Sequence, residues 1–286
     1  MKTYQYPCLG AIIGDTVGSI YEFENIKTTD FPFFSRKSDY TDDSIMTIAV
    51  ADWLVNTDRS QAALEERLVD WAEHNPCPMG GYGKSFRRWL FIPEALRDFD
   101  RYGEIVKSGK SIRHPYNSFG NGSAMRASAC GWAAKSLEEA LDLGKRSAEI
   151  THNHPEGIKG AQAVAAAILL SRQGETKENI RGYIEKQFGY NLHLTCDELR
   201  PDYDWEASCQ GTVPPAIIAW LDSMNFETAV RLAVSLGGDS DTLACITGGI
   251  AQAFYDEIPN HIVERMQSLL PREFWQIMDA LNDKIQ

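Results

Sequence analysis

The sequence predicts an all-α fold, a single domain over residues 1–286, from three features. Apolar residues recur at helical spacing along most of the chain, no stretch sustains the two-residue alternation of a half-buried strand, and helix-start residues precede the clearest apolar runs. With 286 residues and 43% hydrophobic content, the chain can bury a sizeable core without staples.

In chain order, the first helix is expected over residues 8–21, where Gly10, Gly14 and Gly18 fall four residues apart on one face. Each glycine costs a helix roughly 1 kcal/mol relative to alanine, so something must approach that face closely. Spacing alone favours a second helix backbone over a ligand, and Asp15 beside it fits a buried, hydrogen-bonded carboxylate. In "TDDSIMTIAVADWL" the residues Ile45, Met46, Ile48, Ala49, Trp53 and Leu54 follow the helical period. A helix over 61–74 follows, then one over 123–134. "SLEEALDLGKRSAEI" opens with a capping box from Ser136 to Glu139. The same period places helices over 155–172, 177–187, 215–223, 226–236, 242–255, 260–269 and 272–284. The longest irregular pieces, Glu24–Tyr40, Gly109–Gly122 and Asn191–Pro214, mark where a site is to be sought, since long loops in a helical domain tend to carry function. No linker, low-complexity tract or internal repeat divides the chain.

Net charge of −12 is the wrong sign for tracking a phosphate backbone or an anionic bilayer, which argues against nucleic acid as a general partner and against a membrane surface. Cys8, Cys77, Cys130, Cys196, Cys209 and Cys245 form no CxxC pair and several lie in apolar helical contexts, so they are expected to be reduced and the protein cytoplasmic. The apolar run Cys8–Ile13 is too short, and too soon interrupted by Asp15, for a membrane span or signal peptide.

Two short stretches far apart resemble each other. "YTDDS" over residues 40–44 and "GGDSDT" over residues 237–242 each set two carboxylates and a threonine at a helix start. Alone, either is explained as a cap, worth about 0.3–2 kcal/mol. Together, Asp42, Asp43, Asp239 and Asp241 would repel one another if the helix starts met, unless a cation lay between them, and this favours a metal site over two caps. Oxygen-only ligands select hard cations such as magnesium, manganese or calcium over zinc.

The stretches "GAIIGDTVGSIYEF", "YTDDS", "FGNGSAMR", "THNHPEGIKGAQAVAAAI", "SCQGTVPPAIIAWL" and "SLGGDSDTLACITGGIAQAFY" occur in the order and rough spacing of the ADP-ribosylglycohydrolase family, which the chain resembles from about Leu9 to Tyr255. The resemblance implies a compact orthogonal helical bundle holding two divalent ions, usually magnesium and sometimes manganese, that releases ADP-ribose from modified side chains. It implies Thr41, Asp42, Asp43, Asp239, Asp241 and Thr242 as metal ligands. Ser44 stands where the family often has threonine, which keeps a hydroxyl.

Two glycine-rich loops, "GGYGKSF" with Gly81 and Gly83, and "SFGNGSAMR", are expected to offer backbone N–H groups to a diphosphate, the second helped by the helix it leads into. The ordinary alternative is a turn and a cap. The resemblance places Ser118, Gly120, Asn121 and Gly122 by the phosphates and distal ribose, Phe119 against adenine, and His152 on the substrate. Without a nearby third ligand, His152 and His154 make a poor zinc pair, and Arg126 reads as a helix-surface residue. Spacing alone makes Glu22 a solvated carboxylate at a helix end, whereas in "SIYEF" it resembles a glutamate that covers the anomeric carbon, on a segment that would close over the site.

The expected chemistry is hydrolysis at C1 of the ribose that joins ADP-ribose to a protein side chain or small-molecule acceptor. Asp42, Asp43 or Glu22 would take the water's proton, and ADP-ribose would leave as product. A monomer is expected. Two other classes stay open: an inactive ADP-ribose-binding or crystallin-like structural relative, and a two-metal phosphoesterase or pyrophosphatase, which would yield AMP.

Overall fold

The computed structural model describes residues 6–91 and 113–285. Its helices run in the order α1 (Leu9–Gly18), α2 (Asp42–Asn56), α3 (Gln61–His74), α4 (Lys84–Leu90), α5 (Gly122–Met125), α6 (Ser128–Ala133), α7 (Leu137–Glu149) and α8 (Pro155–Arg172). They continue as α9 (Lys177–Phe188), α10 (Cys196–Leu199), α11 (Cys209–Asp222), α12 (Phe226–Ser235), α13 (Ser240–Tyr255), α14 (Asn260–Leu269) and α15 (Arg272–Ile285). The all-α expectation holds: extended pairing among the described residues is limited to two isolated bridges, Thr41 with Met79 and Gly120 with Ser208.

The centre of the molecule is the pair α1 and α13, in closer contact than any other two elements, with α2, α8, α11 and α12 around them. Every residue of α1 is buried. The glycine face predicted for α1 is an approach of helix backbones. A Cβ on Gly14 would overlap the carbonyl of Ala244, one on Gly10 the carbonyl of Gly248, and one on Gly18 would lie 2.5 Å from the Cα of Asp241. The glycines let two backbones touch, and the touching fixes where α13 begins.

Several boundaries differ from the sequence expectation, each for a local reason. α11 starts at Cys209 instead of 215 because Ser208 caps it by accepting the Gly211 N–H, leaving Pro214 and Pro215 inside the helix. Proline 215 has no N–H for the Gly211 carbonyl four residues back, and that carbonyl takes the Tyr203 hydroxyl instead, at 3.0 Å. The helix expected over 123–134 breaks between α5 and α6, where Arg126 leaves the helical path and its side chain turns inward. The Ser136 cap is real, but Glu139 answers to the Lys135 N–H at 2.8 Å and not to that of Ser136, so the box is not reciprocal. The short helices α4 and α10 were not expected, and α10 interrupts the irregular piece Asn191–Pro214. Residues 109–112 of the expected loop Gly109–Gly122 lie outside the described residues.

All six cysteines are free. No described helix is long and apolar enough to cross a membrane.

Candidate active site

The two acidic stretches meet. Asp42 and Asp43 form the first turn of α2, and Asp239 and Asp241 flank the start of α13, which Gly18 brings against the end of α1. Asp15, on α1, organises the α2 end. It accepts the Thr41 N–H at 2.9 Å, the Thr41 hydroxyl at 2.7 Å, the Ser44 N–H at 3.1 Å, and the Ser44 hydroxyl. Such charge-assisted bonds, worth about 1.5–3 kcal/mol each, offset much of its desolvation. Burial still raises its carboxyl to about 6. Asp15 is thus the buried structural carboxylate the sequence allowed, and Ser44 serves it.

Thr41 caps α2 by accepting the Asp43 N–H at 3.2 Å, which leaves one lone pair on its oxygen for a cation. On the α13 side, the left-handed turn Gly237–Gly238, with φ of +74° and +67°, aims Asp239 inward. A Cβ on Gly238 would lie 2.8 Å from the Tyr203 ring. Asp241 Oδ1 accepts the Thr242 N–H at 2.9 Å, and the Thr242 hydroxyl faces Asp43, whose carboxyl it helps to lower.

Glu22 completes the group. One oxygen each from Glu22, Asp239 and Asp241 lie within 4.8 Å of one another. Burial raises the Glu22 carboxyl to about 7, with the charges of Asp239 and Asp15 adding to the effect. Burial likewise lifts Asp42, Asp43 and Asp241 well above the ordinary carboxylate range, and the charges that act most strongly on all three are those of neighbouring carboxylates. Glu22 Oε2 and Asp43 Oδ2 are buried without a hydrogen-bond partner. Crowded carboxylates with orphaned oxygens and oxygen-only donors fit hard divalent cations.

The segment after Glu22 is anchored in this structure. Asn25 pairs with Gly238 in both directions, at 2.8 and 2.7 Å, and Lys27 bonds the carbonyls of Leu236 and Tyr203. Gly80, at φ +73°, covers Glu22 so closely that a Cβ there would lie 2.7 Å from Oε2. The expected loop residues Gly81 and Gly83 have open space beside their Cα atoms, and Gly83 caps α4. Tyr82 between them lies near the cluster, its hydroxyl raised by burial and by Asp42.

The loop Ser118–Gly122 is tied to the acidic cluster through Asn121, whose side-chain amide donates to Asp239 Oδ2 at 2.7 Å and to Thr212 Oγ1 at 3.1 Å. The expectation of free backbone donors is corrected in part. Gly120 N–H goes to Ser118 Oγ at 3.1 Å and Asn121 N–H to the Ala207 carbonyl at 2.8 Å. α5 is a single turn, too short for the helix dipole that was expected there. Phe119 is 48% exposed, edge-on to His154 with ring centroids 5.3 Å apart, open to a planar ligand. His152 is buried beneath the loop, with Nε2 3.3 Å from where a Cβ on Gly122 would lie. Arg126 is not a surface residue: it is fully buried, bonding the Ser147 carbonyl at 2.8 Å and Thr151 Oγ1 at 2.9 Å. Sequence reasoning missed Gly80 and the carboxylate contacts of Glu22, since both depend on chain segments distant in sequence.

Comparison with known proteins points one way. The sequence profile described as ADP-ribosylglycohydrolase matches residues 8–286. The chain is 27% identical to "ADP-ribosylhydrolase ARH3" of Homo sapiens, over 88% of this chain and 86% of that protein. It is also 27% identical to "ADP-ribosylarginine hydrolase Tri1" of Pseudomonas putida (strain GB-1), over 86% of this chain and 69% of that protein. A solved structure described as "ADP-ribosylglycohydrolase-related protein complex" shares the fold, with a TM-score of 0.71 and 24% identity over 98% of this chain and 97% of that one.

Proposed function

The chain belongs to the ADP-ribosylglycohydrolase family, and from that premise we propose that it hydrolyses the C1 bond between ADP-ribose and a modified protein side chain, arginine or serine, or a small-molecule acceptor. The observation that carries the proposal is the Asn121–Asp239 bond, which joins a loop suited to a nucleotide sugar to a cluster suited to divalent cations. Thr41, Asp42, Asp43, Asp239, Asp241 and Thr242 would hold two ions, magnesium or manganese, which when bound supply positive charge to orient ribose hydroxyls and stabilise developing charge.

The chain's own groups divide the remaining work. Ser118, Asn121 and His152 bind the diphosphate and distal ribose, and the exposed Phe119 ring stacks on adenine. Gly81 and Gly83 leave room for backbone approach. Glu22 is the candidate base: raised to about 7, it can take the proton of the attacking water as the water oxygen bonds C1, and return it to the departing acceptor as the old bond breaks. Asp42 and Asp43, raised well above the ordinary range by burial and by the charges of several neighbouring carboxylates, suit cation holding better than proton transfer. The partner is accordingly an ADP-ribosylated protein or small molecule.

The test is release of ADP-ribose from arginine-linked and serine-linked substrates with magnesium present, repeated with Asp239→Asn and Asp241→Asn. Turnover that collapses in both variants supports the proposal, and full activity in both overturns it. AMP as product would select a phosphoesterase, and ADP-ribose binding without turnover an inactive relative.

A further inference from the structure

Arg126 has no place in the chemistry just described, yet it is among the largest fully buried side chains of the molecule. Its guanidinium lies 5.5 Å from the Phe86 ring, and its Nε and Nη1 have no hydrogen-bond partner. Burying a cation with unpaired donors is costly, and folds tend to keep such costs where function needs them. The bonds it does make, from Nη2, run to the Ser147 carbonyl and to Thr151 Oγ1.

The second bond has a direction that chemistry fixes. A guanidinium has donors and no acceptor, so Thr151 Oγ1 is the acceptor there. The Thr151 hydroxyl hydrogen is then free to point at His152 Nδ1, 2.7 Å away. With Nδ1 accepting that hydrogen, it carries no proton, and in the neutral ring the proton then resides on Nε2. Nε2 borders the loop: the space a Cβ on Gly120 would fill is flanked by Ser118 Oγ at 3.3 Å and His152 Nε2 at 3.6 Å. Burial, and secondly the charge of Arg126, hold the ring well below the ordinary histidine range and so keep it neutral.

We propose that Arg126, acting through the Thr151 hydroxyl, holds His152 in the neutral tautomer protonated at Nε2, so that the ring presents an N–H donor at the Ser118–Gly122 loop. Arg126 and Thr151 are positioning residues, and His152 is the group that meets the ligand. The purpose of the donor, an oxygen of ADP-ribose, rests on the hydrolase proposal, whereas the tautomer does not.

The experiment uses the full chain labelled with ¹⁵N-histidine and long-range ¹H–¹⁵N spectra, with His152→Gln identifying the His152 signals among the six histidines. The wild type is expected to show the Nε2-protonated pattern. Thr151→Val, which keeps the shape and removes the hydroxyl, should shift the pattern and raise the ADP-ribose Kd about tenfold, and Thr151→Ser should restore both. Arg126→Met should shift the same signals. Should it fail to fold, the two Thr151 variants decide. An Nδ1-protonated pattern in the wild type, or an unchanged pattern in Thr151→Val, overturns the proposal. If the tautomer behaves as expected but ADP-ribose binds to no form of the protein, the hydrolase proposal fails and the tautomer assignment stands.

Discussion

The Asn121 side-chain amide, 2.7 Å from Asp239 Oδ2, is the direct hydrogen bond between the glycine loop and the acidic cluster. Its backbone N–H is held separately by the Ala207 carbonyl, and the Phe119 carbonyl by the Cys209 N–H, so changing the side chain leaves the loop tied down through its backbone. Asn121→Ala is expected to lower kcat/KM by about 10- to 100-fold, as loss of a charge-assisted bond in a buried site should. Asn121→Asp should be worse than alanine, because it sets another carboxylate against Asp239. Steady-state hydrolysis of both variants checks the order, and an aspartate variant more active than the alanine one would refute it.

Glu22 should control the acid side of the pH profile. Burial and the neighbouring carboxylates raise its carboxyl to about 7 without bound ions, and divalent cations beside it pull that value down, so kcat/KM is expected to fall on the acid side as the base becomes protonated, at a pH below about 7. Glu22→Gln should lose about 100-fold or more in kcat and abolish that acid limb. Gly80→Ala should copy part of the lesion without replacing a carboxylate, because its Cβ would press on Glu22 Oε2.

Stability should depend on pH in a stated direction. Asp15 at about 6 and Glu22 at about 7 are raised above their unfolded values, so between about pH 4 and about pH 7 the folded chain binds more protons than the unfolded one. Stability without added metal therefore falls as pH rises through that window. Magnesium should raise the Tm more at about pH 8 than at about pH 5, because protons compete for the same oxygens. Differential scanning fluorimetry with and without EDTA measures both effects, and a flat Tm across the window would contradict the account.

The α1–α13 contact predicts contrasting alanine variants. Gly14→Ala, whose Cβ would overlap the Ala244 carbonyl, should cost about 3 kcal/mol in urea unfolding and is a candidate for outright failure to fold. Gly81→Ala meets open space and should cost only the strain of its +77° φ, about 1 kcal/mol. Equal costs would mean that the glycine face is not a packing surface.

Helices with a clear apolar period and a polar start, such as Gln61–His74, Pro155–Arg172 and Asn260–Leu269, were legible to the residue, because local signals set both ends. α11 was misplaced because Pro214 and Pro215 signal a boundary locally, whereas the Ser208 cap and the Tyr203 hydroxyl that make an earlier start tolerable depend on loop geometry. The acidic cluster was legible as two matching motifs, since unpaired carboxylates in apolar surroundings need an explanation even in one dimension. Its convergence was implied rather than derived. Arg126 was misjudged because burial of a lone arginine depends on Ser147 and Thr151, more than twenty positions away. The crowding of Gly80 on Glu22 has no sequence signature at all.

The proline pair of α11 has a consequence beyond its own helix. The carbonyl that Pro215 leaves vacant is the mooring for Tyr203, whose ring in turn lies against Gly238 beside Asp239. A defect in the regularity of one rod therefore helps to steady the neighbouring coil, and restoring the missing amide with Pro215→Ala would improve the rod while setting that amide in competition with the Tyr203 hydroxyl for that carbonyl.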